Sequence, residues 1–280
     1  MKWQTGRRSG NVIDRRGRGG PALAGGGLLT LIGVLFYLFT GQSVDPSGMQ
    51  QGPPVDEGQG ASGGAYVGSP EEEQLKEFVS VILADTEDTW PRLLAGQNVQ
   101  YQEPRLVIFT GAVQSACGGA SSAVGPFYCP ADQQVYLDLS FFNELARMGG
   151  AGDFANAYVV AHEIGHHVQN LLGISEQTQQ AQRRMDQASG NALSVQVELQ
   201  ADCFAGVWAH YAQRERQLLE PGDVEEGLAA AAAIGDDRLQ REAGRRVSPE
   251  TFTHGTSAHR MEWFQRGLKQ GTVEACNTFR

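Results

Sequence analysis

The middle of the chain carries two histidines and a glutamate at a spacing suited to metal chemistry. His162 and His166 are four positions apart, so on an α-helix both rings lie on one face, one turn apart, and can reach the same ion. Glu163 lies about 100° further round such a helix, where its carboxylate can take a proton from water beside that ion. One zinc ion is expected, because imidazole suits zinc and because zinc lowers the pKa of water to about 7.

A catalytic zinc usually has three protein ligands and one open position. The extended motif H-E-x-x-H-x-x-G-x-x-H fails here, because Gln169 and Leu172 stand where it requires Gly and His. Glu198 follows His166 by 32 residues and supplies a carboxylate on a later helix, which completes a set of two histidines and one glutamate. Asp202, one turn further on, is predicted to accept the free ring N–H of a ligating histidine.

The two carboxylates at 198 and 202 have a simpler interpretation as a solvated acidic stripe. Their apolar neighbours predict a largely buried helix instead: Val195, Val197, Leu199, Ala201, Phe204 and Val207. A buried carboxylate needs a strong partner. The sequence therefore favours Glu198 as a metal ligand and Asp202 as the support of a histidine ligand.

Hydrolysis of a peptide bond also needs a group that stabilises the oxyanion. His254, in the loop 252–257 before the last predicted helix, is our candidate for this second catalytic role. His259 is the alternative. A surface histidine without a catalytic role is the ordinary interpretation of both residues.

The first 69 residues predict a membrane anchor and a tether. Of residues 1–40, six are basic and one is acidic, and the basic segment is 1–20. Residues 21–40 carry no charge, and twenty helical residues span about 30 Å, the thickness of a bilayer core. The basic flank predicts a cytoplasmic N-terminus and a single-pass signal anchor, with a buried helix or a cleaved signal peptide as alternatives. Residues 41–69, rich in Gly and Pro, are predicted to be a flexible tether.

Residues 70–280 are predicted to form one α+β domain, mostly helical with a small sheet. Strands are expected over 105–113 and 134–139, and nearly everything after residue 153 has a helical pattern, without β–α–β alternation. The predicted helices of that second part are 153–171, 176–188, 192–219, 223–235 and 256–270.

The four cysteines fit an oxidising compartment, which the predicted anchor would also supply. Four cysteines allow three pairings. Cys117 with Cys129 closes a short loop, which leaves Cys203 with Cys276. A cysteine metal site is disfavoured, because the chain contains no C-x-x-C pair.

The charge of the main body excludes one class of partner. Residues 41–280 contain 16 basic and 31 acidic side chains, so their formal net charge is −15. Phosphate binding requires the opposite sign. We therefore expect no nucleic-acid partner.

Several segments together resemble the bacterial neutral zinc metallopeptidase family. They are His162–His167, Glu198–Gly206, Gly125–Asp132 and Thr253–Ser257, together with the run 11–17 near the N-terminus. The resemblance implies a zincin-like outer domain of the gluzincin type (H-E-x-x-H followed by E-x-x-x-D), one membrane span, zinc and peptidase activity. It also implies that the strand 134–139 is a sheet edge to which an extended peptide can add.

The sequence thus predicts a membrane-tethered zinc endopeptidase on the extracytoplasmic side of the bacterial envelope, with peptides or proteins as substrates. An endopeptidase is favoured over an aminopeptidase, because no G-x-M-E-N segment is present. The alternative is a non-catalytic, zinc-binding, membrane-anchored scaffold or envelope assembly factor. Glu163 argues against the scaffold, because a purely structural zinc site does not need a general base.

Overall fold

The computed structural model describes residues 1–17 and 66–279. The predicted span 21–40 lies outside the described residues, as does the predicted tether up to residue 65. Among the helices in the two described ranges, none combines the length and the apolarity that a bilayer crossing requires.

In the described chain the strands all lie before residue 139 together with one long helix, and the later part is almost entirely helical. The strands are β1 (Val12–Asp14), β2 (Arg105–Phe109), β3 (Ala112–Ser115), β4 (Gly118–Ser121), β5 (Phe127–Cys129) and β6 (Gln134–Asp138). The helices are α1 (Pro70–Ala95), α2 (Phe141–Arg147), α3 (Asp153–Leu171), α4 (Ile174–Gln182), α5 (Gln187–Arg216), α6 (Asp223–Ala233), α7 (Asp236–Glu242) and α8 (Ser257–Gln270). The predicted α+β class is confirmed.

Four strands form the main sheet in the order β1-β2-β6-β5. The first three strands are parallel, and β5 pairs antiparallel to β6 at the edge. The implied edge position of 134–139 is therefore wrong, because β6 lies between β2 and β5. The predicted strand 105–113 divides into β2 and β3, since Gly111 has a φ of 76° and turns the chain into a separate β3–β4 hairpin.

The helix that carries the histidine motif has the predicted bounds, Asp153–Leu171. The break between the next two helices lies earlier than predicted. Asp186 accepts a hydrogen bond from the backbone N–H of Ser189, so it caps α5 and starts that helix at Gln187. As a result α5 is 30 residues long and carries both predicted carboxylates.

Residues 1–17, which belong to the predicted basic segment, pack on the domain. β1 pairs in parallel with β2. The Trp3 indole is buried and lies edge-on to the ring of Phe78, with 5.3 Å between centroids. The α-ammonium of Met1 donates hydrogen bonds of 2.8 and 2.9 Å to Asp153, the first residue of α3. Apolar packing, sheet hydrogen bonds and ion pairs thus dock this segment.

Docking brings the two ends of the undescribed stretch together. The guanidinium of Arg16 lies 5.0 Å from the centroid of the Tyr66 ring. A single crossing by residues 21–40 would place 1–17 and 66–279 on opposite sides of a bilayer. A docked N-terminal segment and a single crossing therefore cannot occur in the same molecule.

Both predicted disulfides are formed. Cys117–Cys129 joins the turn between β3 and β4 to β5, and Cys203–Cys276 joins α5 to the C-terminal residues. The second bond lies one residue after Asp202. It therefore fixes the helix segment that carries the predicted support of the metal site.

Replacing the buried Trp3 tests the docking of the N-terminal segment. Trp3→Ala removes a large core side chain and is expected to lower the free energy of unfolding by about 3–5 kcal/mol. The neighbouring exposed Lys2 is the control, and Lys2→Ala should change the free energy of unfolding by less than about 0.5 kcal/mol. Urea unfolding of the full chain measures both. Equal stabilities of the two variants would show that residues 1–17 are not docked.

Candidate metal centre

The structure brings the three predicted ligands together between α3 and α5. The Nε2 atom of His162 lies 3.2 Å from Oε2 of Glu198, and the Nε2 atom of His166 lies 3.4 Å from Oε1 of the same carboxylate. One ligand atom from each side chain lies within 4.8 Å of the other two. These three residues can therefore hold one metal ion.

The spacing of the three donors agrees with the geometry that zinc requires. Nitrogen and oxygen ligands bind zinc at about 2.0–2.1 Å, so neighbouring ligands of a tetrahedral site lie about 3.3 Å apart. The nitrogen-to-oxygen distances are 3.2 Å to Oε2 and 3.4 Å to Oε1, which is close to this value for one or the other carboxylate oxygen. Two imidazoles and one carboxylate also form a donor set typical of catalytic zinc, which leaves a fourth position open.

A close helix crossing places Glu198 beside the histidines. Gly165 lies between the two ligands of α3, and a Cβ atom there would lie 2.9 Å from the backbone oxygen of Ala201 and 3.1 Å from its Cα. Any side chain at 165 would thus separate α3 from α5. The glycine in the motif permits the approach that lets a carboxylate on α5 reach both rings.

Hydrogen bonds on their Nδ1 atoms orient both histidines. Asp202 is fully buried, and its Oδ1 lies 2.9 Å from Nδ1 of His162, as predicted for the support of a ligand. The Nδ1 atom of His166 lies 2.9 Å from Oε1 of Gln169, whose amide donates to the carbonyl of Val197 on α5. In the sequence, Gln169 only shows that the longer histidine motif is absent. Its role emerges from the contact between helices.

Asp202 has two further partners that the sequence did not reveal. Arg260 on α8 donates from Nε to Oδ2 at 2.8 Å and from Nη2 to Oδ1 at 2.9 Å. The hydroxyl of Tyr158 also donates to Oδ1. The carboxylate behind His162 is therefore surrounded by donors.

The charged groups of the centre shift one another's pKa. Burial opposes the charge on His162, but its hydrogen bonds with Asp202 and Glu198 outweigh burial and raise the pKa to about 9. Burial also opposes the charge on Glu198, yet the adjacent His166 and His162 hold its pKa well below the ordinary value. The carboxylate is thus ionised, and a metal ion must displace the proton on His162.

Glu163 faces the space in front of the three ligands. Its side chain is nearly buried, and no described residue donates a hydrogen bond to its carboxylate. Burial raises its pKa above the ordinary value for glutamate. A carboxylate that accepts no hydrogen bond from the described residues, and whose pKa is raised above the ordinary value, is suited to accept a proton and return it.

His254 lies in the same cavity as His162 and Glu163. Its Nδ1 lies 3.1 Å from Oδ1 of Asp236, while Oδ2 of Asp236 accepts backbone N–H bonds from residues 253, 254 and 255 at 2.8, 2.6 and 2.9 Å. Burial opposes the charge on His254, but Asp236 outweighs it and raises the pKa. The alternative residue, His259, is exposed and does not line the cavity.

The cavity in front of the ligands has a volume of about 610 Å³. One wall is the edge strand β5 with the residues just before it. Many of the lining residues are apolar: Val124, Phe127, Phe141, Met148, Val159, Ile234 and Leu239. His167 does not face this space. It is buried, with Nδ1 at 3.0 Å from the Tyr128 hydroxyl and Nε2 at 2.6 Å from the carbonyl of Gln102, so it joins α3 to β5.

Two histidines on one helix and a glutamate on a second helix form a group that can hold one metal ion, with a further glutamate beside it, and this donor set is typical of zinc hydrolases. The family described as "Putative neutral zinc metallopeptidase" matches residues 1–279, and the chain belongs to this family.

Similar proteins occur in distant bacteria. The uncharacterised protein YpfJ of Escherichia coli K12 is 49% identical over 290 residues, which cover 100% of this chain and 99% of that protein. The uncharacterised protein Rv2575 of Mycobacterium tuberculosis H37Rv is 48% identical over 202 residues, or 68% of this chain and 66% of that protein. No solved structure matches the chain.

The crossing at Gly165 makes a direct prediction about stability. Gly165→Ala forces backbone atoms of two buried helices apart and is expected to lower the free energy of unfolding by about 1–3 kcal/mol. Gly190 is the matched control, because it also lies in a helix but has open space where a Cβ would be added. Gly190→Ala should raise the stability by up to about 1 kcal/mol. Urea unfolding distinguishes the two, and equal effects would contradict the close crossing.

Proposed function

We propose that this protein is a zinc-dependent metalloendopeptidase that hydrolyses peptide bonds in peptides or proteins. The observation that carries this proposal is the position of Glu163. Its carboxylate accepts no hydrogen bond from the described residues, and it lies in the cavity beside His162, His166 and Glu198. A site that only stabilised the fold would have no use for such a carboxylate or for an open cavity in front of the ligands.

Each residue of the metal centre has a separate role in hydrolysis. Zinc held by the three ligands would polarise the carbonyl of the substrate and make water a better nucleophile. Glu163 takes a proton from the attacking water and returns it to the leaving amine. His254, held by Asp236, donates a hydrogen bond to the oxyanion. The raised pKa of His254 favours the protonated form that such a donor needs.

An extended peptide is the substrate shape that the cavity favours. β5 is an edge strand beside the ligands, and an extended chain can add to such an edge through main-chain hydrogen bonds. Main-chain recognition does not require a terminus, which supports internal cleavage. His167 and Tyr128 keep this edge in a fixed position relative to α3.

We place the domain outside the cytoplasm and attach it to the membrane through residues 21–40. The two disulfides support an oxidising compartment, and the uncharged twenty-residue run supports contact with a bilayer. Because residues 1–17 pack on the domain, we propose that the N-terminal segment lies on the same side of the membrane as the domain.

The role of Glu163 is tested by Glu163→Gln, a nearly isosteric change that removes the base. We expect normal zinc content and a fall in cleavage rate of about 10²–10⁴-fold. Zinc per chain and digestion of a peptide library, read by mass spectrometry, are measured on the same preparations. Glu198→Gln is the control, and it should lose the metal together with the activity.

Two results would contradict this assignment. Cleavage by Glu163→Gln at the wild-type rate would remove Glu163 from the mechanism. A wild-type protein that binds zinc but cleaves nothing in a broad library would favour the anchored scaffold.

The role of His254 is tested by His254→Ala, which removes the proposed oxyanion donor. We expect a fall in kcat of about 10²–10³-fold with unchanged zinc content. His259→Ala is the control and should leave kcat unchanged, because its side chain is exposed and outside the cavity. A similar loss in both variants, or none in His254→Ala, would overturn the proposed role.

A further inference from the structure

Arg260 is the most deeply buried cation near the metal centre, and the proposed mechanism does not use it. Its guanidinium is 1% exposed, the residue lines the cavity together with His162, and its Nη2 lies 3.9 Å from Oε2 of Glu198. Burial of a positive charge is costly unless it is paired and hydrogen-bonded. The partners of this side chain therefore indicate what it does.

Arg260 and Asp202 form a bidentate, fork-like ion pair. Nε and Nη2 donate to the two different oxygens of the carboxylate, at 2.8 and 2.9 Å. Two parallel hydrogen bonds fix the plane of the carboxylate as well as its position, which a single point charge cannot do. The orientation of Asp202 is thus set from α8.

The oriented carboxylate in turn decides which nitrogen of His162 is free. Nη2 of Arg260 lies 3.4 Å from Nδ1 of His162, but a guanidinium cannot accept a hydrogen bond. The ring N–H at Nδ1 can therefore be satisfied only by Oδ1 of Asp202, 2.9 Å away. With one hydrogen held at Nδ1, Nε2, the atom beside Glu198, is the nitrogen that is presented to the metal.

Arg260 also contacts the segment that anchors the second proposed catalytic histidine. Its Nη1 donates to the carbonyl of Ile234 at 3.3 Å, two residues before Asp236. α8 itself begins at Ser257, directly after the loop of His254. One side chain therefore connects the metal ligand His162 with the loop on the opposite side of the cavity.

We infer that Arg260 is a positioning residue of the metal centre, whose forked hydrogen bonds to Asp202 set the orientation of His162 and thereby the affinity for zinc. The inference rests on the proposed metal site. It requires the fork, so a lysine, which keeps the charge but cannot donate in parallel to both oxygens, is not an adequate replacement.

The experiment measures zinc affinity directly, by competition of the metal-free full chain against a chelator at one fixed pH. Arg260→Lys is expected to weaken zinc binding by about 10–100-fold. Arg16→Lys is the matched control, because Arg16 is also 1% exposed and forks onto a carboxylate, that of Asp14, at 3.0 and 2.6 Å. This control should leave zinc affinity unchanged, whatever its effect on Tm.

A double-variant cycle separates positioning from general damage to the fold. If Arg260 acts through Asp202, then Asp202→Asn should weaken zinc binding to a similar extent, and the double variant should bind no more weakly than the worse single variant. If Arg260→Lys does not fold, Arg260→Gln tests the same point. Its amide can donate to only one oxygen of Asp202, and zinc binding should weaken by at least about 10-fold.

Two outcomes would overturn the inference: wild-type affinity in Arg260→Lys, or in Arg260→Gln where that variant replaces it, and additive losses in the double variant. These failures differ from failure of the proposed function. If the wild-type chain itself binds no zinc, the metal centre is wrong. If the wild-type chain binds zinc and Arg260→Lys binds it equally well, only the role of Arg260 is wrong.

Discussion

The contact between the Glu198 carboxylate and two imidazole rings is the interaction on which the rest of the site depends. A nearly buried carboxylate is stable only beside strong partners, so α3 and α5 must cross closely. Gly165 permits that crossing on one side. On the other side, glycines 206 and 267 let α5 and α8 pack backbone to backbone, since a Cβ atom at either position would overlap the opposite helix. The three helices together bring Arg260, Asp202 and His162 into one row.

Much of this site follows from local sequence pattern. The four-residue spacing of the histidines predicts their common face, and the apolar neighbours of Glu198 predict that its carboxylate is buried. The contributions of Gln169, Asp236 and Arg260 could not be predicted in this way. Each depends on which helices meet: Arg260 reaches a carboxylate 58 positions earlier in the chain, and a buried arginine has no local signature. The spacing of residues along the sequence predicts the ligands, whereas only the packing of the helices reveals the residues that hold them in place.

The N-terminal segment shows why a charge pattern can have two meanings. Basic residues before an apolar run are typical of a cytoplasmic flank, yet here they also complement the acidic face of α1. Arg7 contacts Glu87, Arg8 contacts Glu77, and Arg16 contacts Glu73. The three-residue strand β1 is too short to give a periodic signal. Only the fold reveals that this segment has binding partners within the same chain.

The adjacency of Gly17 and Tyr66 has a practical consequence for protein engineering. The 48 intervening residues leave and re-enter the domain at neighbouring points, since a Cβ at Gly17 would lie 2.7 Å from the Tyr66 ring. In the order of the chain, the stretch is therefore an insertion between strand β1 and helix α1. A short loop joining the two points would retain strand β1 and the Met1 ion pairs, and closing a shorter loop costs less entropy. Such a shortened chain offers a route to crystals of the metal centre without the apolar run.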